Sequence, residues 1–308
     1  ASPGERAAVD VAIVANPQPG QLVGYPNLGF VQSLWAGVDR LLDDPSLPAH
    51  LPLARMVDPA MTAAMAQTAA WAVLSLHRGF HHYARQQAEG RWSPLPQRRA
   101  DECRVLVAGA GELGLAVARQ LLTLGYPVDS WGRSARCRVD LNAELLTPAT
   151  APVATPELPP PRWRYGSGEA DWQRFAAEAE VVINLLPLTP QTRGFFDAAR
   201  LAGLRRGAGL VNLARGAAVV DADLLAALAS GQIGHAVLDV FTQEPLAPDH
   251  PYWRHPQVTV LPHVAALTDP RSAAVVAAHN IRRVRAALGR GAPLPDDLSG
   301  RVERARGY

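Results

Sequence analysis

The feature that most constrains this chain is a glycine turn with its flanks. Cys103-Arg104-Val105-Leu106-Val107-Ala108 leads directly into Gly109-Ala110-Gly111-Glu112-Leu113-Gly114, and a segment striped with Leu113, Val117, Leu121 and Leu122 comes next. The apolar run has the make-up of a buried strand, and the stripe has the spacing of a helix. The G-x-G-x-x-G spacing alone constrains little. With a strand before it and a helix after it, bare glycines at 109 and 111 let the backbone approach a pyrophosphate, whose charge rests on the helix N-terminus. A buried strand–turn–helix of this kind belongs in a parallel sheet covered on both faces, so the chain is expected to be α/β and doubly wound.

The rest of the chain agrees. Expected strands fall at 104–108, 127–131, 181–186, 208–213, 235–239 and 258–260, with helices such as 113–124 and 221–230 between them. Upstream, residues 9–15 and 30–35 are short apolar runs of strand type, followed by a helical stretch through Leu42. Residues 60–87 are almost free of Gly and Pro and read as one long helix or two abutting ones. A polar, proline-containing linker spans 91–101, and a last helix lies around 273–288. Residues 147–161 hold six prolines in fifteen positions, which predicts an exposed loop or strap. At 308 residues the chain has the length of two domains.

Composition excludes several classes of function. All 30 basic residues are arginine, against 28 acidic ones, so no lysine is present for a Schiff base or a P-loop. A net charge of +2 is too balanced for a nucleic-acid-binding protein. No apolar run reaches the ~18 residues that a membrane span needs. Cys103 and Cys137, the only cysteines, have no metal-like spacing, and a reducing cytoplasm is the expected compartment.

Cofactor choice is read at the end of the strand after the glycine turn. An acidic residue there would hold a ribose 2′-hydroxyl, whereas cationic and hydroxyl groups suit a 2′-phosphate. The sequence is Val128-Asp129-Ser130-Trp131-Gly132-Arg133-Ser134-Ala135-Arg136. If Trp131 ends the strand, the discriminating position is Gly132, with Arg133, Ser134 and Arg136 beside it. NADPH is the expected cofactor and NADH the second choice, with Asp129 as the competing acidic candidate.

Three further strand ends each carry one ionisable side chain: Arg215, Glu244 and His263. An Arg can grip a carboxylate, a His can supply a proton, and a Glu beside it favours the imidazolium. Taken singly, each also has an ordinary explanation as a solvated or structural residue.

The segments G-A-G-E-L-G, L-L-P-L-T-P-Q-T-R-G (185–194), N-L-A-R-G-A-A-V-V-D (212–221), L-D-V-F-T-Q-E-P-L and P-H-V-A-A together resemble the D-isomer-specific 2-hydroxyacid dehydrogenases. Within that family, Trp131–Ser134, the stretch 250–256 and Arg91-Trp92 are similar to the bacterial glyoxylate/hydroxypyruvate reductase A branch. The resemblance implies a Rossmann cofactor domain at 69–268 and a smaller flavodoxin-like α/β substrate domain from 1–68 and 269–308, with the active site in the cleft. It implies NADPH-dependent reduction of glyoxylate and hydroxypyruvate, with His263 as proton donor, Arg215 on the substrate and Glu244 behind the histidine. Trp35, Ala36 and Gly37 correspond to the turn that receives the substrate carboxylate. Besides the glycine turn, the resemblance assigns cofactor contacts to Leu186, Pro187, Thr192, Leu213, Ala214 and Asp239, and a homodimer contact to the helix at 68–88.

Two departures bear on substrate. The family opens its small domain with an extra strand–helix unit, and here only residues 1–8 precede the first strand, so either that domain is abbreviated or the sequence is truncated. Ala15 and Asn16 stand where the branch tends to carry an aromatic residue and a lysine. A family member with a bulkier 2-keto acid, or a dinucleotide-sensing regulatory protein on the same fold, are the alternatives. Retention of the Arg–Glu–His trio disfavours the sensor. His77, His81 and His82 lack a third metal ligand and are read as interface or surface histidines, with no metal expected.

Overall fold

The computed structural model describes residues 2–135, 137, 139–145 and 162–307. Arg136 and the proline-rich stretch 147–161 therefore lie outside the described residues. The chain forms two compact units: Ala1–Thr62 with Pro187–Thr189 and Leu267–Tyr308, and Ala63–Leu186 with Pro190–Ala266.

The smaller unit holds a parallel sheet of β1 (Val11–Val14), β2 (Phe30–Ser33) and β3 (Leu53–Ala54) in the order β1-β2-β3. The helix Pro270–Leu288 starts at Asp269, whose carboxylate accepts the N–H groups of Arg271 and Ser272. Buried Asn280 joins this helix to the sheet by donating to Gln32 Oε1 at 2.9 Å. At the end of β2, Ser33 Oγ accepts the Trp35 N–H at 3.1 Å and shapes the Trp35-Ala36-Gly37 turn.

The larger unit contains β4 (Val105–Ala108), β5 (Val128–Gly132), β6 (Trp163–Ser167), β7 (Val181–Asn184), β8 (Ala208–Asn212), β9 (Ile233–Leu238) and β10 (Val258–Val260). They form one parallel sheet in the order β10-β9-β8-β7-β4-β5-β6. Strand order reverses at β4 and β7, and an open α/β sheet leaves its ligand crevice there, beyond the carboxyl ends of the strands. Both faces of β4 are covered. Val105 and Val107 join the core under the Glu112–Thr123 helix, while Leu106 and Ala108 join a second core with Trp172, Phe175 and Leu224. The period of two in a continuously apolar strand explains this division.

Of the two arrangements open for residues 60–87, the structure has the two abutting helices, Pro59–His77 and Phe80–Ala88, separated at Gly79, whose φ of 71° is left-handed. Two details depart from the sequence reading. β6 was not expected, because Trp163–Ser167 contains an arginine and a glycine and lies just after the proline-rich stretch. β5 includes Gly132 as its last residue, one beyond the expected end at 131.

His77 and His81 face the protein rather than the surface. His77 Nδ1 lies 2.8 Å from Tyr126 Oη, and the His81 ring lies 4.0 Å from that of His82 and 4.2 Å from that of His235. Among the described residues, no group of three or more His, Cys, Asp or Glu side chains could hold a metal ion. His235 is 5% exposed, and burial, reinforced by the neighbouring His81, His82 and Arg85, pushes its pKa down to about 3. Between that value and the ordinary 6.5, the unfolded chain binds a proton here that the folded chain does not. Stability is therefore complete above pH 6.5 and falls as pH drops towards 3. By pH 5 this residue alone removes about 2 kcal/mol. Glutamine at 235 can still reach Thr259 Oγ1, the 2.9 Å partner of His235 Nε2. Melting temperatures at pH 7 and pH 5 check the point: His235→Gln should lose less on acidification than the unaltered protein, and equal losses would refute the assignment.

Candidate active site

The glycine turn leaves β4 at the point of strand-order reversal, and its three glycines meet three different surroundings. Gly109 has φ 112°, and a Cβ there would lie 2.6 Å from the Leu185 carbonyl oxygen. A Cβ on Gly114 would lie 1.7 Å from the Gly109 carbonyl oxygen, so the helix can sit this close to the turn only with glycine. Gly111, the N-cap of the Glu112–Thr123 helix, has nothing within 4 Å of a would-be Cβ. Two glycines are thus needed by the protein's own packing, and the middle one opens onto space beside a helix N-terminus. Those are the requirements of a pyrophosphate cradle, and the residues fit a dinucleotide. Glu112 and Leu113 are the first two helical residues, so their backbone N–H groups belong to that N-terminus.

On the far side of the turn, Leu185 N–H donates to the Ala108 carbonyl and Leu186 N–H to Asn184 Oδ1. Leu186 is buried and Thr192 half-buried in the larger unit, whereas Pro187 belongs to the smaller one.

Asp129, the competing cofactor residue, is excluded by its geometry. Its carboxylate is fully buried and gripped in bidentate fashion by Arg164, with Nε–Oδ1 2.6 Å and Nη2–Oδ2 2.7 Å, while Arg104 Nη1 adds a third bond at 3.1 Å. It also sits three residues before the strand tip, roughly 10 Å away at strand rise. Gly132, Arg133 and Ser134 stand at the tip itself, with Arg133 and Ser134 exposed.

The second cluster is assembled by the sheet register. Asn212 pairs with Leu238, and Leu238 with Val260, so the loops leaving β8, β9 and β10 emerge side by side. These loops carry Arg215, Glu244 and His263. Two buried asparagines, Asn184 and Asn212, link the ends of β7 and β8 through Nδ2–Oδ1 at 3.0 Å. Asn212 then shapes the next turn: its Nδ2 donates to the Arg215 carbonyl, and its Oδ1 accepts the Ala214 N–H. Leu213 is buried behind that turn, and the Arg215 guanidinium donates to the Ala214 carbonyl at 2.8 Å. Gly216 comes next, and a Cβ on it would lie 1.9 Å from the Phe241 carbonyl carbon. The Arg215 loop and the Glu244 loop are therefore in backbone-to-backbone contact.

Glu244 uses both oxygens. Oε1 accepts the Phe241 N–H at 2.9 Å, and Oε2 lies 2.7 Å from His263 Nδ1. An ionised carboxylate only accepts hydrogen bonds, so Nδ1 carries the proton and Nε2 is the atom that can exchange one with a ligand. His263 is held at a left-handed φ of 55° by three bonds from its turn. Its own N–H donates to the Asp239 carbonyl at 2.9 Å, and the Val264 and Ala265 N–H groups donate to the two Asp239 carboxylate oxygens at 2.7 and 3.0 Å. Burial raises the Asp239 pKa, and the two N–H bonds oppose that shift. Asp239, expected at the cofactor, thus has both side-chain oxygens bound to the histidine's turn. Asn184, Asn212 and Gly216 were missed in the sequence. The parallel placing of Asn184 and Asn212 at consecutive strand ends was the only available signal.

An imidazole backed by a carboxylate, an arginine on a fused loop and a dinucleotide cradle in the same unit form the equipment of a hydride-transfer enzyme. Comparison with known proteins agrees. Residues 70–150 and 149–265 match the family described as D-isomer specific 2-hydroxyacid dehydrogenase, NAD binding domain. The chain is 39% identical over 310 residues to the glyoxylate/hydroxypyruvate reductase A of Klebsiella pneumoniae, covering 99% of this chain and 89% of that protein. Among solved structures, a D-isomer specific 2-hydroxyacid dehydrogenase from Xanthobacter autotrophicus Py2 in complex with NADPH and MES superimposes with a TM-score of 0.85 at 38% identity, covering 98% of this chain and 86% of that one. The NADPH-dependent glyoxylate/hydroxypyruvate reductase of Sinorhizobium meliloti, in complex with NADP and sulfate, gives a TM-score of 0.82 at 33% identity, covering 98% and 87%. With motif order, fold and site geometry in agreement, this chain belongs to the D-isomer-specific 2-hydroxyacid dehydrogenase family.

Proposed function

We propose that the protein reduces small 2-keto acids, glyoxylate and hydroxypyruvate first, to 2-hydroxy acids with NADPH. The observation that carries this reading is the 2.7 Å His263–Glu244 pair beside a loop bearing Arg215. When bound, the nicotinamide supplies hydride to the keto carbon. His263 Nε2 delivers a proton to the keto oxygen, and Glu244 stabilises the imidazolium that precedes this transfer. Arg215 holds the substrate carboxylate and keto oxygen. Asp239 positions His263 by fixing its turn. On the nucleotide, Gly109–Gly114 carry the pyrophosphate, Leu186, Thr192, Leu213 and Ala214 line the dinucleotide, and Arg133 with Ser134 receives the 2′-phosphate. We place the protein in the cytoplasm as a homodimer. The large exposed side chains of Trp71, Phe80 and Trp92, in and just after the 68–88 stretch, support that assembly.

The test is the rate of NADPH and NADH oxidation with glyoxylate, hydroxypyruvate, pyruvate and a bulky aromatic 2-keto acid. Fast turnover of the two small acids with NADPH is expected, and tight cofactor binding without turnover of any acid would overturn the reading. In the same assay Arg133→Ala should raise the KM for NADPH by about 10- to 100-fold, the worth of a charge-assisted hydrogen bond. The KM for NADH should change little, and an equal rise for both would remove Arg133 from the phosphate site.

A further inference from the structure

Tyr165 lies on β6 at the edge of the sheet, paired in register with Ser130 of β5. Its side chain crosses towards the β5 tip. The hydroxyl donates to the Ser134 carbonyl at 2.6 Å, within the loop just beyond Gly132. A Cβ built on Gly132 would lie 2.8 Å from that hydroxyl, 3.4 Å from the ring carbon Cε2 and 3.2 Å from the Cβ of Ala110 in the glycine turn. The phenol therefore fills the space that any side chain at 132 would need. The neighbouring Trp131 is fixed as well: its indole N–H donates to the Gly168 carbonyl at 2.9 Å, and its ring packs against Trp172 and Phe195. The tip of β5 is anchored by β6 and the Gly168–Glu178 helix, rather than by its own sequence.

We propose that Tyr165 is a positioning residue for nucleotide discrimination. Through the Ser134 carbonyl it holds the Arg133–Ser134 segment in the conformation that receives a 2′-phosphate. By occupying the space above Gly132 it also closes the position where a carboxylate would favour an unphosphorylated ribose. This inference rests on the NADPH reading of the same site. It adds that the preference is set by two strands together, since the arginine and serine come from the end of β5 and their support comes from β6.

The experiment is calorimetric binding of 2′,5′-ADP and 5′-AMP, which isolates the adenosine end and requires no turnover. The unaltered protein should bind 2′,5′-ADP more tightly. Tyr165→Phe keeps the ring and removes only the hydroxyl, so it should weaken 2′,5′-ADP by about 3- to 10-fold, the range of one neutral hydrogen bond. Affinity for 5′-AMP should stay within about twofold. A ratio of the two affinities unchanged by the substitution, including equal weakening of both ligands, would overturn the proposal while leaving the cofactor reading intact. An unaltered protein that does not prefer 2′,5′-ADP would overturn the cofactor reading and this inference with it. The steric half has its own check. Gly132→Ala should lower the melting temperature more in the unaltered protein than alongside Tyr165→Phe, and equal losses would rule out the close approach.

Discussion

Replacing His263 by asparagine should lower kcat by about 10²- to 10⁴-fold, the usual contribution of a positioned acid–base group. Asparagine is the informative substitution because it tolerates the left-handed φ of 55° that the turn imposes, whereas a β-branched or bulky residue would add backbone strain to the loss of the imidazole. The three bonds between the turn and Asp239 are made by backbone N–H groups and do not depend on the side chain at 263. The Kd for NADPH, measured by fluorescence titration, should therefore hold while turnover falls. An active variant would remove His263 from proton transfer. A variant that lost cofactor binding in parallel would show that the side chain acts on the fold of the loop.

The other large effect is expected at a residue that carries no side chain, Gly216, next to Arg215. Gly216→Ala puts a methyl 1.9 Å from the Phe241 carbonyl carbon and 2.3 Å from its oxygen and from the Thr242 nitrogen. All three are backbone atoms, so no side chain can turn aside and one of the loops must move. Overpacking of this kind costs about 3 kcal/mol or more, a fall in melting temperature of about 6–12 °C for a unit of this size. Moving the Phe241 backbone also displaces Glu244, whose Oε1 is bound to the Phe241 N–H, and through Glu244 it displaces His263. Turnover should fall with stability, and thermal unfolding beside kcat tests both. A variant with unchanged melting temperature would show that the two loops separate easily.

The parts legible in the sequence were those in which the local pattern and the chemistry coincide. The Val105–Ala108 strand, the glycine turn and the apolar stripe of the next helix are contiguous, so their spacing carries both fold and ligand. Arg215, Glu244 and His263 could be found because each comes after an apolar strand of recognisable length. Their support could not, because it depends on which strands are neighbours. Asn212 matters through its bond to Asn184, 28 positions away in the chain. Tyr165 matters through Ser134, 31 positions away. Nothing local marks either pair. Asp129 shows the reverse case: the sequence left open whether it faced the ribose, and its burial beneath Arg164 and Arg104 decided the question. β6 escaped detection because an edge strand with an arginine and a glycine lacks the continuous apolar run of the inner strands.

The contact between Gly216 and Phe241 has a consequence for anyone wishing to retune this protein by laboratory evolution. Two loops that touch through bare backbone cannot be lengthened, shortened or diversified independently, because any change in one is transmitted to the other and to the histidine beyond it. Libraries that randomise 214–217 or 240–244 should consist mostly of inactive clones. Diversity is better placed on side chains that leave this junction alone, such as the exposed Val264, which keeps its backbone bond to Asp239 with any side chain but proline.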